Sequence, residues 1–119
     1  MTDITLYHNP RCSNSRSALA LLRERGIEPR IVEYLAQPLG LAQLQQLAAA
    51  VGGPVRDLLR SKEAAYQTLG LGDPACTDEQ LLNAVAEHPE LLNRPIVVTP
   101  RGALLCRPPE RVLELLPPA

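Results

Sequence analysis

The sequence is short of aromatic residues, cysteine and net charge, and each shortage excludes a class of function. Aromatic residues make up 3% of the 119 residues, with no Phe and no Trp, which disfavours nucleic-acid binding through base stacking. The formal net charge is -1, so no strongly basic surface attracts nucleic acid or an anionic membrane. The length predicts one domain spanning residues 1–119. A 45% hydrophobic share without large rings predicts a core of aliphatic side chains.

The cysteines are too few and too irregularly spaced for a disulfide scaffold. Cys12, Cys76 and Cys106 form an odd set without paired spacing, which is typical of a reducing compartment. The segment Met1–Ile4 shows no basic region followed by an apolar stretch, so no signal peptide is visible. The uncharged segment Tyr34–Val55 contains glutamines and a glycine pair, which excludes a lipid-exposed span. We therefore expect a soluble cytoplasmic protein without membrane or nucleic-acid partners.

The beginning of the chain predicts a strand, a helix and a second strand. Ile4–His8 is short and β-branched, and Pro10 ends it because proline cannot donate to a ladder. Ser13–Arg25 has the apolar spacing of an amphipathic helix, with Gly26 at the position of a left-handed cap. Pro29–Leu35 predicts the second strand. A strand, helix and strand within so few residues favour a parallel βαβ unit.

The middle of the chain, about residues 38–93, predicts a helical subdomain. One stripe of leucines and alanines falls on a single helix face before a glycine pair, and Thr77 opens a capping box with Gln80. The predicted helical segments are Leu41–Val51, Val55–Arg60, Glu63–Leu69 and Thr77–Glu87.

The end of the chain predicts a hairpin and a last helix. Ile96–Thr99 is the most β-prone run, and the turn Pro100–Gly102 returns the chain as an antiparallel strand over Ala103–Cys106. Glu110–Leu116 follows a proline pair as a helix. The order βαβ, helical insert, ββα predicts an α/β, thioredoxin-like fold with a mixed four-stranded sheet.

The candidate nucleophile is Cys12, at the junction of the first strand and helix. Free amides and the helix dipole at a helix start stabilise a thiolate or an oxyanion. Lowering a thiol pKa from about 8.5 to about 6.5 requires roughly 2.7 kcal/mol, whereas a helix terminus supplies at most about 2 kcal/mol. Further donors are therefore needed, and the alternative is a small buried apolar cysteine. The candidate donors are His8, Arg11, Ser15 and Arg16.

Spacing excludes several other cysteine chemistries. A dithiol oxidoreductase needs a second Cys where Ser15 stands, and a phosphatase loop needs an Arg where Ala18 stands. His8 and Cys12 have no further ligands at usable spacing, so we predict no metal site. The segment therefore predicts a one-thiol redox or oxyanion site.

Three motifs together resemble the glutaredoxin-dependent arsenate reductase family, a branch of the thioredoxin-like fold. These motifs, Tyr7–Arg16, Arg94–Val97 and Cys106–Pro109, draw on both ends of the chain, and the likeness spans nearly all of it. The resemblance implies that Cys12 attacks arsenate, that glutathione forms an adduct on arsenic, and that glutaredoxin reduces the product. Glutathione would then be a co-substrate, with no bound cofactor.

The resemblance also implies roles for other residues. His8 would keep the thiol ionised, and Pro95 would follow a cis peptide bond. Three arginines would surround the oxyanion, which the planar guanidinium suits. These arginines are Arg60, Arg94 and Arg107.

Ordinary structural roles remain open for each of these arginines. Arg60 could stabilise the end of a short helix, Arg94 could be a loop charge, and Arg107 lies at a strand end. Cys106 could resolve an oxidised Cys12 or be a buried structural thiol.

This chain departs from the family pattern at one place. The residues after the cysteine are Ser13 and Asn14, where the family has Gly-Thr. A glycine lets the backbone approach an anion closely, and Ser13 restricts that approach if a positive φ is required. The identity of the oxyanion therefore stays open.

Two alternative functions remain beside arsenate reduction. One is a regulator or adaptor like the Spx-type regulators, which bind RNA polymerase; those with a redox switch use a Cys-x-x-Cys pair that Ser15 interrupts. The other is a glutathione-dependent thiol transferase acting on mixed disulfides.

Overall fold

The computed structural model describes residues 4–116. Four strands form one sheet, and α-helices and short 3₁₀ segments connect and follow them. The strands are β1 (Thr5–Tyr7), β2 (Arg30–Val32), β3 (Ile96–Thr99) and β4 (Gly102–Leu105). The α-helices are α1 (Ser13–Glu24), α2 (Leu41–Val51), α3 (Ala64–Thr68) and α4 (Asp78–Glu87). The 3₁₀ segments are Val55–Leu58, Pro89–Leu91 and Pro109–Leu115.

The strands lie in the order β2-β1-β3-β4. β1 runs parallel to β2, with Leu6 opposite Ile31, and antiparallel to β3, with Leu6 opposite Val97. β3 and β4 form the antiparallel hairpin, in which Val97 lies opposite Leu104. The predicted α/β fold with a mixed four-stranded sheet is confirmed.

Three predicted elements differ from the observed ones in helix type or by more than one residue at an end, and others differ by one residue at an end. β2 ends at Val32 because the Glu33 carbonyl accepts hydrogen bonds from the amides of Ala36 and Gln37, which turns the chain. The helical segment expected to reach Arg60 ends at Leu58. Arg60 thus lies beyond that segment, directly after its C-cap residue Leu59. The last helix is a 3₁₀ segment that begins one residue earlier than predicted.

The chain divides into two compact units. One comprises the residues up to Gln37 together with those from Arg94 onward, and the other is Pro38–Asn93. The first contains the sheet. It buries the ring of Tyr34, and its main core cluster is aliphatic apart from one thiol. The buried members of this core are Leu6, Leu22, Val97, Cys106, Val112, Leu115 and Leu116.

The second unit is helical and buries mainly leucine. Thr77 caps α4 as predicted: its hydroxyl accepts the Gln80 amide at 3.2 Å, and the Gln80 side chain accepts the Thr77 amide at 2.8 Å. None of the helices in residues 4–116 is long and apolar enough to cross a bilayer.

Candidate active site

Cys12 is the N-cap residue of α1, as the sequence predicts. Its backbone is extended, with φ -92° and ψ 124°, and its side chain is half-buried. The Cys12 amide donates to the Asn9 carbonyl at 3.0 Å, and the Cys12 carbonyl accepts the Arg16 amide at 3.0 Å. The amides between these bonds belong to the first turn, where no preceding helical carbonyl can accept them. They are therefore free to donate to a negatively charged sulfur at the N-cap.

Opposing effects act on the Cys12 thiol. Burial alone would raise its pKa, but hydrogen bonds to the thiolate lower the pKa and prevail. The donors are, in order of effect, the Ser15 amide, the Arg94 side chain and the Asn14 amide, and the charge of Arg94 adds to them. The pKa of Cys12 therefore lies below the ordinary value for a thiol. A depressed pKa raises the share of the nucleophilic thiolate at neutral pH.

Arg94 reaches the site from the loop before β3. The Arg94–Pro95 peptide bond is cis, as the resemblance implies. The Pro95 carbonyl accepts the Cys106 amide at 2.8 Å, and the Arg94 carbonyl accepts Nη1 of Arg107 at 2.9 Å. Arg94 and Arg107 thus meet at one end of the β3–β4 hairpin.

Known proteins resemble this chain over the segments that carry the helix-capping cysteine and the arginine beside it. The model of the ArsC family matches residues 7–115.

The chain belongs to the ArsC family.

Its relatives cover nearly the whole chain. An arsenate reductase of Rhizobium meliloti is 53% identical over 114 residues, 96% of this chain and 81% of that protein. An arsenate reductase of Escherichia coli K12 is 49% identical over 119 residues, 100% of this chain and 84% of that protein. The solved structure of an arsenate reductase from Vibrio cholerae matches with a TM-score of 0.91 and 45% identity, covering 95% of this chain and 97% of that one. These likenesses confirm the resemblance that the sequence motifs indicate.

Ser15 and His8 form a buried pair in this ArsC-family chain. The Ser15 hydroxyl lies 2.6 Å from Nδ1 of His8 and accepts the Asn9 amide at 3.0 Å. Ser15 is fully buried and His8 is 6% exposed. The Ser15 hydroxyl therefore serves His8 and Asn9, while the Ser15 amide is the group that acts on the sulfur.

The charge state of His8 follows from its surroundings. Burial lowers its pKa, and so do the positive charges of Arg23 and Arg16, whereas Glu33 raises it. The net result is a pKa below the ordinary value of 6.5. The imidazole is therefore neutral at neutral pH. That His8 supports the thiolate stays a prediction, and the contact through which it could act is the hydrogen bond to Ser15.

Asn9 is a site residue to which the sequence alone assigned no role. Its Oδ1 accepts the Arg11 amide at 2.9 Å, and its carbonyl accepts the Cys12 amide. Asn9 is 6% exposed. An Asn before Pro10 is a known signal for a turn closed by the side chain, so the motif could have identified it.

The replacement of Gly-Thr by Ser13 and Asn14 imposes no backbone strain. Within residues 4–116, only glycines adopt a positive φ. Because Ser13 begins a regular helix, its position does not require the conformational freedom of glycine. The amides of this turn can face an anion with either residue type.

The other candidates lie in varied surroundings. Nη1 of Arg16 donates to the Pro10 carbonyl at 3.0 Å. Arg60 belongs to the helical unit, where its Nε lies 3.4 Å from Oε1 of Glu63 and its amide donates to the Leu91 carbonyl at 2.8 Å. The roles of Arg16, Arg60 and Arg107 at an oxyanion stay predictions.

The remaining cysteines are free thiols with different exposure. Cys106 is 0% exposed in the core of the sheet unit, and burial raises its pKa to about 12. It is therefore a protonated, inaccessible thiol in this fold, which fits the structural alternative. Cys76 is half-buried in a loop of the helical unit, with its Sγ 3.6 Å from the Gly70 carbonyl.

Proposed function

We propose that this chain is an arsenate reductase that converts arsenate to arsenite through Cys12. One observation carries the proposal: the Cys12 sulfur faces the amides of Ser15 and Asn14 and the guanidinium of Arg94, which together lower the thiol pKa. The same donors would attract a tetrahedral oxyanion to the attacking atom. The arsenate reductases of Rhizobium meliloti and Escherichia coli support the choice of arsenate.

In the proposed first step, the Cys12 thiolate attacks arsenic(V). A sulfur–arsenic bond forms and one arsenic–oxygen bond breaks, and the departing oxygen leaves as water after protonation. Cationic side chains lower the barrier by neutralising charge on the oxyanion and on the leaving group. We assign this task to Arg94, which also lowers the pKa of the Cys12 thiol, and to Arg60 and Arg107.

Completion of the reaction requires thiols from outside the chain. Arsenic(V) takes up two electrons to become arsenic(III), and forming one disulfide from two thiols releases two electrons. Cys106 is buried and protonated, so it does not supply the second thiol in this fold. We assign that role to glutathione, with glutaredoxin reducing the product. Three free cysteines and these thiol partners fit a cytoplasmic location.

The test is a coupled assay of the purified protein with arsenate, glutathione and glutaredoxin, in which nicotinamide oxidation is followed. We expect Cys12→Ser to abolish turnover because an alkoxide does not form at neutral pH and cannot replace the thiolate. Cys76→Ser is the matched control and should retain wild-type turnover. Full activity of Cys12→Ser would exclude the mechanism.

The same purified protein distinguishes the other two functions. Reduction of a glutathione mixed disulfide without reduction of arsenate would identify a thiol transferase. Stoichiometric binding of RNA polymerase without turnover of either substrate would identify a regulator.

A further inference from the structure

The open end of the β3–β4 hairpin connects Arg107 to Arg94. The backbone ladder pairs Ile96 with Leu105. One residue further, the Pro95 carbonyl accepts the Cys106 amide at 2.8 Å. The next pair toward the open end is Arg94 opposite Arg107.

A side chain links the two strand ends at this pair. Pairs in an antiparallel ladder alternate between hydrogen-bonded and non-hydrogen-bonded, so after the bonded pair of Pro95 and Cys106 no backbone bond is expected between Arg94 and Arg107. The Arg107 amide donates instead to the Leu105 carbonyl of its own strand, at 3.1 Å. Nη1 of the half-buried Arg107 side chain donates to the Arg94 carbonyl at 2.9 Å, which adds a cross-strand bond that the backbone alone does not make.

We propose that Arg107 is a positioning residue for Cys12, because it holds the Arg94 backbone from which the Arg94 guanidinium reaches the sulfur. The proposal rests on the proposed role of Cys12 as the nucleophile, and it applies to the enzyme before any oxyanion binds. An arginine that acted on the free thiol through its charge alone would do so whether or not Arg94 is present.

Arginine suits this task better than other residues. Hydrogen bonds from a charged donor are stronger than those between neutral groups, and the planar guanidinium directs its N–H groups in fixed directions. Only one of these groups is used at the Arg94 carbonyl. The remaining N–H groups stay available for an oxyanion, so the positioning role and the assigned oxyanion role are compatible.

A double-mutant cycle on the free enzyme tests the proposal. The rate of iodoacetamide alkylation at Cys12 is measured against pH by mass spectrometry of the Cys12 peptide, in wild type, Arg107→Gln, Arg94→Gln and the double variant. We expect Arg107→Gln to slow alkylation at pH 6 about threefold and to move the profile to higher pH. In the Arg94→Gln background, Arg107→Gln should have no further effect.

Further variants distinguish the coupling between Arg107 and Arg94 from a general loss of positive charge and from misfolding. Arg111→Gln removes another half-buried arginine, whose Nη1 donates to the Leu105 carbonyl at 3.4 Å, and should leave the profile in place. Arg107→Lys should recover much of the wild-type rate because an ammonium can still donate to the carbonyl. If Arg107→Gln folds poorly, Arg107→Met keeps the apolar stem and serves in the same cycle.

Two results would overturn the proposal. An unchanged profile in Arg107→Gln would restrict Arg107 to the oxyanion or to a structural role. An equal slowing in both Arg94 backgrounds would indicate a direct effect of charge. Alkylation needs no arsenate, so failure of the arsenate assay with an intact coupling would count against the proposed substrate alone.

Discussion

Cys12 depends on several weak donors because no single one is sufficient. A helix terminus contributes at most about 2 kcal/mol toward a charge, and burial of the half-buried sulfur opposes it. The Ser15 amide and the Arg94 side chain supply what the helix end alone does not. At the scale of single residues, the reactivity of the site therefore depends on contacts from two distant segments of the chain.

His8 gives a pH-dependent contribution to stability. Its pKa in the folded protein lies below 6.5, so the unfolded chain binds a proton in a range where the folded chain does not. The free energy of unfolding therefore falls as pH decreases below 6.5 and continues to fall until the folded pKa is reached. We expect urea denaturation between pH 6.5 and 5 to show a smaller decrease for His8→Gln than for wild type.

Ser17→Ala is the control for this pH dependence. Ser17 is exposed and carries no ionisable group. Its replacement should leave the wild-type slope unchanged. Identical slopes for wild type and His8→Gln would contradict the assignment of the effect to His8.

The start of α1 depends on one buried hydroxyl. Ser15→Ala removes the partner of His8 Nδ1 and of the Asn9 amide, both of which are buried. Leaving a buried polar group without a partner costs about 1–3 kcal/mol. We expect Ser15→Ala to lower the free energy of unfolding by about 2 kcal/mol in urea denaturation.

Ser17→Ala provides the comparison on the same helix, because Ser17 is exposed. It should change stability by less than about 0.5 kcal/mol. A Ser15→Ala variant as stable as Ser17→Ala would show that the buried pair contributes nothing to the helix start.

The elements with strong local signals are those that the sequence predicts well. The bounds of β3 agree with the prediction because Ile96–Thr99 is β-branched and bounded by prolines. α4 begins where the Thr77 capping box predicts. β2 is shorter than the predicted Pro29–Leu35 because a turn at Glu33 ends it. The hydrophobic pattern of the sequence gives no sign of this turn.

The sequence predicts which residues form the site better than it predicts the hydrogen bonds between them. The position of Cys12 at the helix start follows from the motif, and so does the cis bond before Pro95 through the family resemblance. Which group of Ser15 faces the sulfur depends on side-chain direction, and the sequence does not contain that information. The hydrogen bond from Arg107 to Arg94 depends on the hairpin register in the same way.

At the scale of the whole molecule, the buried thiol of Cys106 reports on opening of the sheet unit. It is 0% exposed in a core built from β1, α1 and β3 side chains, so reagent reaches it only when that core opens. We expect Cys106 to resist alkylation in native buffer and to become labelled across the urea unfolding transition.

Cys76 is the internal comparison for this labelling. It is half-buried and should react without denaturant. Rapid labelling of Cys106 in native buffer at the rate of Cys76 would show that the sheet core opens without unfolding of the chain.

The fully buried Ser15 also limits how this site could be converted by a single substitution. Dithiol oxidoreductases carry their second cysteine at this position, so Ser15→Cys would complete a Cys-x-x-Cys motif in the sequence. The larger thiol hydrogen-bonds only weakly, and both His8 and Asn9 would lose a strong partner at a fully buried position. Acquiring an internal disulfide would therefore require compensating changes around His8, and this local coupling favours a mechanism with a single thiol at the start of α1.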